Sequence, residues 1–303
     1  MATRLNTKAL ACFLSANIIF LCHSTLAHAL TGGAITGSAQ SQGPFQVFDG
    51  TLYKNKPDLA RYGIRSTSII YVSKLWPGGL AGVSNDRLPD RGIVRQAAYD
   101  VKKKGDIAIL DIEHWPLHGD DPVVASNIEK LSMVLRWFRE ESPDVRVGYF
   151  GILPVADFWS FRSGAESKRY RGWKTRNDRL IPLARLVDVI FPSIYTYTAD
   201  KDMWVQFAVE NIKEARRYGK PVYVFLWPQY SERNKTLGEE YLPPDFWKLQ
   251  LETAHKYADG VVIWGGWGKD NNPAAWDENA PWWRVTKQFM QDLQQIPARK
   301  TQP

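Results

Sequence analysis

Cysteine is nearly absent: the 303-residue chain has two, Cys12 and Cys22, both within its first 22 residues. Everything beyond them lacks disulfides, zinc–thiolate sites and cysteine nucleophiles, so a chain of this length must be held by its core. Histidine is sparse too. His114, His118 and His255 are scattered without metal-ligand spacing, and no metal is expected. No G-x-G-x-x-G follows the first strand-like run and no G-x-S-x-G elbow occurs, which argues against dinucleotide binding and Ser-His-Asp catalysis. No cofactor is implied. Lys/Arg clusters of the nucleic-acid-binding kind are missing as well; Lys102-Lys103-Lys104 closes a helical stretch, where cations favour the dipole. What the chain has in excess is tryptophan, 13 residues, roughly threefold the usual share. Indoles stack on sugar rings, and they also fill cores.

Long apolar runs are lacking. The run from Ala9 to Leu21, interrupted by Ser15 and Asn17, falls short of the ~20 residues a spanning helix needs. With Arg4 and Lys8 before it and Ala27-His28-Ala29 after it, it reads as a signal peptide over 1–29. Cleavage would remove 29 residues and two cations from the +7 chain, leaving 274 residues at +5. The expected location is secreted or periplasmic, with no membrane contact after cleavage. A Gly/Ser-rich leader occupies 30–44, and a polar tail 296–303.

Between them, over 45–295, short apolar runs alternate with amphipathic stretches. The runs start at Gln46, Thr67, Ile107, Val145, Val187, Val222 and Gly260; most are continuous, as in parallel strands buried on both faces. Helical spacing marks Asp121 to Glu141, Asp202 to Tyr218 and Asp245 to Tyr257. The pattern predicts an α/β fold, a single TIM-like (β/α) barrel, of seven strands by this count, with a doubly wound open sheet as the alternative.

In such a barrel, chemistry collects at the C-terminal strand ends. The third run reads AILDIEHW, so Asp111 and Glu113, two apart on a strand, point the same way into the mouth. Two carboxylates that close cannot both ionise freely, and one should rise towards a useful general acid. Trp115 follows them. The fifth run ends FPSIYTY, bringing Tyr195 and Tyr197 to the same rim, as donors to substrate or as packed aromatics. Trp227 ends VYVFLW and can line the cleft or pack. Trp264, followed by Gly265-Gly266, is a flat surface beside small residues, with room for a sugar. His114 lies on the opposite strand face and reads as structural. The later strand ends, GYFGILP, PSIYTY, FLWPQY and IWGGW, supply no third carboxylate.

The segments IAILDIEHW, FPSIY, PVYVFLW and GVVIWGGW, in this order and spacing, resemble the animal and venom hyaluronidase family of glycoside hydrolases, over roughly Phe45 to Trp267. The resemblance implies a seven-stranded (β/α) barrel and substrate-assisted, retaining hydrolysis of a β-linked N-acetylhexosaminide in a polysaccharide. It implies Glu113 as the acid/base, Asp111 as the carboxylate that orients the substrate acetamide, Tyr195 as its positioning phenol and Trp264 as the pocket wall. Trp227, Tyr149, Tyr197 and Trp115 join Trp264 as candidate substrate-binding residues. The chain departs from the family at Ile112, where a Trp is usual, and at His114-Trp115-Pro116, where Glu-Trp-Arg is usual. Phe150 replaces a tyrosine, with Tyr149 beside it, and the family's paired cysteines are missing. The alternative reading is a carbohydrate-binding barrel that keeps the cleft without turnover; a barrel with unrelated hydrolytic chemistry is a third. Neither reading fixes an oligomeric state.

Overall fold

The computed structural model describes residues 43–105, 107–267 and 272–295. The expected signal peptide, nearly all of the leader and the expected tail lie outside them. Six parallel strands form the sheet: β1 (Gln46–Thr51), β2 (Arg65–Tyr71), β3 (Ile107–Asp111), β4 (Val147–Tyr149), β5 (Tyr223–Leu226) and β6 (Gly260–Gly265), in the order β4-β3-β2-β1-β6-β5. The fifth apolar run, residues 187–195, lies between the two outer strands. It holds isolated parallel bridges, Phe150↔Phe191 towards β4 and Ile190↔Val222 and Ser193↔Phe225 towards β5. These close the ring into a (β/α) barrel. The run fails to form a regular ladder because Pro192 has no N–H to donate, although its carbonyl still accepts from the Phe225 N–H at 2.8 Å.

Among the described residues, eight α-helices cover the outside: α1 (Arg91–Lys104), α2 (Asp121–Glu141), α3 (Phe158–Arg162), α4 (Lys168–Asp178), α5 (Ile181–Ala184), α6 (Lys201–Arg216), α7 (Pro244–Tyr257) and α8 (Pro281–Gln295). The sequence explains their limits. Asp90 and Asp200 accept from Ile93 N–H and Met203 N–H as N-caps, and Pro122 sits in the first turn of α2. After Lys102-Lys103-Lys104, Gly105 at φ 70° stops α1. Between β1 and β2 there is only a short 3-10 turn, Leu59–Tyr62. The outer face of these strands therefore borders α1 across an open groove of about 650 Å³.

Strand alternation sorts the core into two parts. Val47, Leu110, Val224 and Ile263 face the helices. Phe48, Ile109, Phe191, Phe225 and Val262 fill the barrel, as the side-chain layers of such barrels do. Gly50 and Gly148 allow this filling: a Cβ on Gly148 would meet the Val189 carbonyl at 2.2 Å. Tryptophan packs the outer layer. Trp204 is fully buried on α6 and donates through its indole N–H to the Ile194 carbonyl at 3.0 Å, tying the irregular fifth run to the helix beneath it. Trp204→Ala is expected to cost about 3–5 kcal/mol, the usual loss on emptying a large aromatic site. Urea unfolding at constant slope measures it.

Candidate active site

The inward positions at the C-terminal strand ends converge on one mouth. Tyr71 ends β2 and lies in register with Asp111, which ends β3. Glu113 follows two residues on. Asp111 and Glu113 share a side-chain hydrogen bond, so a single proton lies between them. Burial holds Asp111 at about 6, against an ordinary value near 3.8, while the bond to Glu113 pulls it down. Glu113 lies well above the ordinary glutamate range: loss of hydration raises it most, then the charge of Asp111 and the bond to it. Glu232 adds to that push and Arg233 opposes it. Glu113 is nonetheless exposed to solvent, a carboxyl at the floor of an open cleft, and the water reaching it tempers the effect of burial.

Three aromatic rings wall this floor. Tyr195 stacks on Trp264 with centroids 5.9 Å apart at 28°, and Trp227 meets Trp264 edge-on at 5.1 Å. Tyr195 also lies 5.6 Å from Trp227. The Trp264 indole N–H donates to the Tyr71 hydroxyl at 3.1 Å. That bond crosses over β1, where Gly50 stands between the two residues without a side chain. Gly266, at φ 85°, turns the chain sharply after Trp264, and a Cβ there would lie 2.6 Å from the Tyr53 nitrogen. Only glycine fits there. The Tyr195 phenol is held far above its usual range by burial first, then by Tyr71, Glu113, Asp111 and Glu232. It stays protonated and can only donate or accept a hydrogen bond.

Of the eight residues singled out from the sequence, Asp111, Glu113, Tyr195, Trp264 and Trp227 come together in this mouth. Trp227 is itself nearly buried and donates to the Gln229 side-chain oxygen at 2.8 Å. Tyr149, expected as a substrate contact, is instead a core residue. It is fully buried on the outward face of β4, and its hydroxyl donates to the Leu131 carbonyl at 2.8 Å. Alternation along the strand gives Phe150 the inward place, 6.0 Å from Tyr195. Trp115 is likewise withdrawn, 2% exposed and packed on Trp76 and His114, because β3 has ended at Asp111 and the chain turns out of the barrel. Tyr197 packs on Phe158 and Phe207 rather than on the Tyr195 cluster. Burial holds the His114 imidazole at about 4, neutral in the ordinary range, between Trp76 and Trp115.

Three residues of the mouth escaped sequence reasoning. Tyr71 had a signal, since the strand TSIIY places it inward with Ile69 and Thr67. Glu232 and Arg233 had none. They sit on the excursion after β5, folded back by the Ser231 N–H donating to the Thr196 carbonyl and by the Asn234 amide donating to the Tyr197 carbonyl. Glu232, six residues beyond the end of β5 and so outside the strand ends read from the sequence, acts electrostatically on both Glu113 and Tyr195. Among the described residues, no group of three or more His, Cys, Asp or Glu side chains can hold a metal ion, and no helix is long and apolar enough to cross a membrane.

With this geometry in place, comparison with solved structures gives one clear likeness. The chain is similar to bee venom hyaluronidase. The match has a TM-score of 0.58 at 17% identity and covers 82% of this chain and 97% of that one. A second structure, bee venom hyaluronidase in complex with a hyaluronic acid tetramer, matches with a TM-score of 0.57 at 17% identity, over 85% and 99% of the two chains. At this identity the likeness is one of fold. No family model and no curated protein matches the chain.

An acid pair that shares one proton works only while it holds that proton. Activity that depends on it should follow a bell, with an acid limb near pH 6, where the second proton leaves, and an alkaline limb above it. The pH profile of kcat/KM checks this, and both limbs belong to the pair rather than to either residue.

Proposed function

We propose that the chain is a glycoside hydrolase that cleaves a β-N-acetylhexosaminide linkage in a polysaccharide, with hyaluronan or chondroitin as one possibility and another acetamido glycan as the other. The observation that carries this reading is the Asp111–Glu113 pair sharing a proton at the barrel mouth, walled by Tyr71, Tyr195 and Trp264. The fold likeness to an enzyme solved with a hyaluronic acid tetramer supports it.

In the proposed reaction Glu113 gives its proton to the glycosidic oxygen as the bond to the anomeric carbon breaks. The acetamide oxygen of the same sugar attacks that carbon from the opposite face. Asp111, ionised once Glu113 carries the proton, accepts from the acetamide N–H and stabilises the positive charge that develops on the ring closure. Tyr195 donates to the acetamide oxygen and holds it on line, and Trp264 offers its face to the acetamide. Glu113, now ionised, takes a proton from water, which opens the cyclic intermediate with net retention. Two inversions leave the anomeric configuration unchanged.

A second reading rests on Glu232. A carboxylate whose charge is felt at Glu113 is a candidate to attack the sugar itself, as in two-carboxylate retaining enzymes. Incubating the purified protein with a panel of acetamido-bearing glycans and identifying products by mass tests the proposal. Shortened chains ending in an intact N-acetylhexosamine are expected. An unchanged panel would leave a carbohydrate-binding barrel.

A further inference from the structure

The positive charge of this chain is concentrated in one place. Residues 158–185 carry eight Lys and Arg against two Asp and Glu, which accounts for six of the seven net positive charges in the whole sequence. This stretch runs from α3 through α5. It leaves the barrel directly after β4, on the side of the C-terminal strand ends, and α3 is anchored at the rim by Phe158, whose ring lies 5.6 Å from Tyr197 and 5.3 Å from Phe207.

Part of the charge is structural. Lys174 pairs with the buried Glu214 of α6, Arg176 with Asp157, and Arg179 with Asp121. Together with the bond from the Tyr170 hydroxyl to Glu210, these fasten α4 to its neighbours. The rest points outward. Lys168 and Arg171, three apart on α4, share its exposed face. Arg171 also donates to the Glu166 carbonyl, and Arg169 is 49% exposed at 4.0 Å from Asp157. On α3, which packs against α4, stands Trp159, at 57% the most exposed large aromatic among the described residues, with the Arg162 guanidinium 5.7 Å from its ring centre. An indole so exposed gains nothing from its own core. A flat apolar face with a cation over it and further cations alongside fits a sugar ring that carries a carboxylate.

We propose that the exposed face of α3 and α4 is a docking strip for a uronate-bearing polysaccharide, which holds the chain outside the mouth while the cleft works on one linkage. The proposal rests on reading the cleft as a glycan site, but it makes a separate claim about the glycan's charge. Trp159 stacks on a pyranose face, Arg162 meets the carboxylate of that ring, and Lys168 and Arg171 take carboxylates further along the chain. The occupant is anionic because the strip offers a steep local excess of cations, whereas a neutral glycan would use only Trp159.

Binding to alginate, a polyuronate without acetamido groups, tests the strip apart from the cleft, because nothing in the proposed reaction requires such a polymer to enter the mouth. The purified protein should bind alginate with an affinity that falls as salt rises, and R162E/K168E/R171E should weaken it by about tenfold or more. Trp159→Ala, which leaves the charge unchanged, should weaken it about threefold or more. Neither variant should alter cleavage of an oligosaccharide short enough to fill the cleft alone, while both should raise KM on long hyaluronan. Alginate binding that ignores the charge reversal overturns the proposal. So does equal or tighter binding to a DNA duplex or to phosphatidylserine vesicles with no effect of Trp159→Ala, since that describes a general polyanion surface. Should the glycan panel show no hydrolysis while alginate binding still depends on Arg162, Lys168, Arg171 and Trp159, the hydrolase reading fails and the strip stands.

Discussion

Replacing Glu113 by Gln is expected to lower turnover on the acetamido polymer by about 10²–10⁴-fold, the range lost when a positioned general acid is removed. The amide is nearly isosteric, so the cleft and its affinity for the polymer should survive. Rate on the polymer and retention on an immobilised polymer, measured on the same preparation, separate the two functional readings. A hydrolase loses the first and keeps the second. A binding barrel shows no turnover in either protein and equal retention in both. Stability gives an independent check with a definite sign. A carboxyl whose folded value is raised, as Asp111's is to about 6, favours the folded state in acid and loses that contribution as pH rises from its ordinary value through 6. Glu113→Gln keeps a donor for the ionised Asp111 and removes the repulsion that sets in above this window, as Glu113 itself ionises. The variant should therefore be at least as stable as the parent above pH 6, by thermal unfolding, and should gain on it as pH rises. A variant that unfolds more easily there would mean that the two carboxylates do not repel.

Removing the substrate's acetyl groups should be as damaging as removing the acid. If the acetamide oxygen is the nucleophile, a polymer with free amines in its place loses an intramolecular attack, and cleavage should fall by at least about 10³-fold, within the range that such proximity supplies. A thiazoline mimic of the cyclised intermediate should inhibit, and no carboxylate should carry a trapped sugar. Sustained cleavage of the deacetylated polymer would instead give the nucleophile's place to Glu232, and Glu232→Gln would then abolish it. Both outcomes are read by product mass on matched polymers.

Much of this site was legible in the sequence because the barrel turns strand parity into direction. Asp111 ends β3 inward by this parity, Glu113 keeps that direction two residues past the strand, and Trp264, next to last in β6, faces inward by the same rule. Tyr149 shows the rule working against an assignment drawn from likeness. It neighbours Phe150 in sequence, and a shift of one residue places it on the opposite face, in the core. Parity also fails once the strand ends, which is why Trp115 and Tyr197, on the right phase, have turned away. Glu232 and Arg233 were beyond reach for a different reason. Their approach to Glu113 depends on how the segment after β5 folds back onto the Thr196 and Tyr197 carbonyls, a tertiary event without local periodicity. The seven runs were countable, but the loss of a regular ladder in the one holding Pro192 had to be seen.

The wall of the pocket also serves as a clasp. β1 and β2 are paired in register only at Phe48↔Arg65 and Asp49↔Ser66, and no helix covers their outer face. Like the joints of the run holding Pro192, this seam has little backbone bonding, and an open groove lies along its outer face, so sub-global opening costs little there. The hydrogen bond from Trp264 on β6 to Tyr71 on β2 passes over that seam from inside the mouth. A sugar that presses on Trp264 therefore also presses on the fastening of this seam, and breathing at the seam moves the wall. Amide exchange in β1 and occupancy of the cleft are thereby linked: a bound glycan slows the opening, and a loosened seam weakens the glycan's grip.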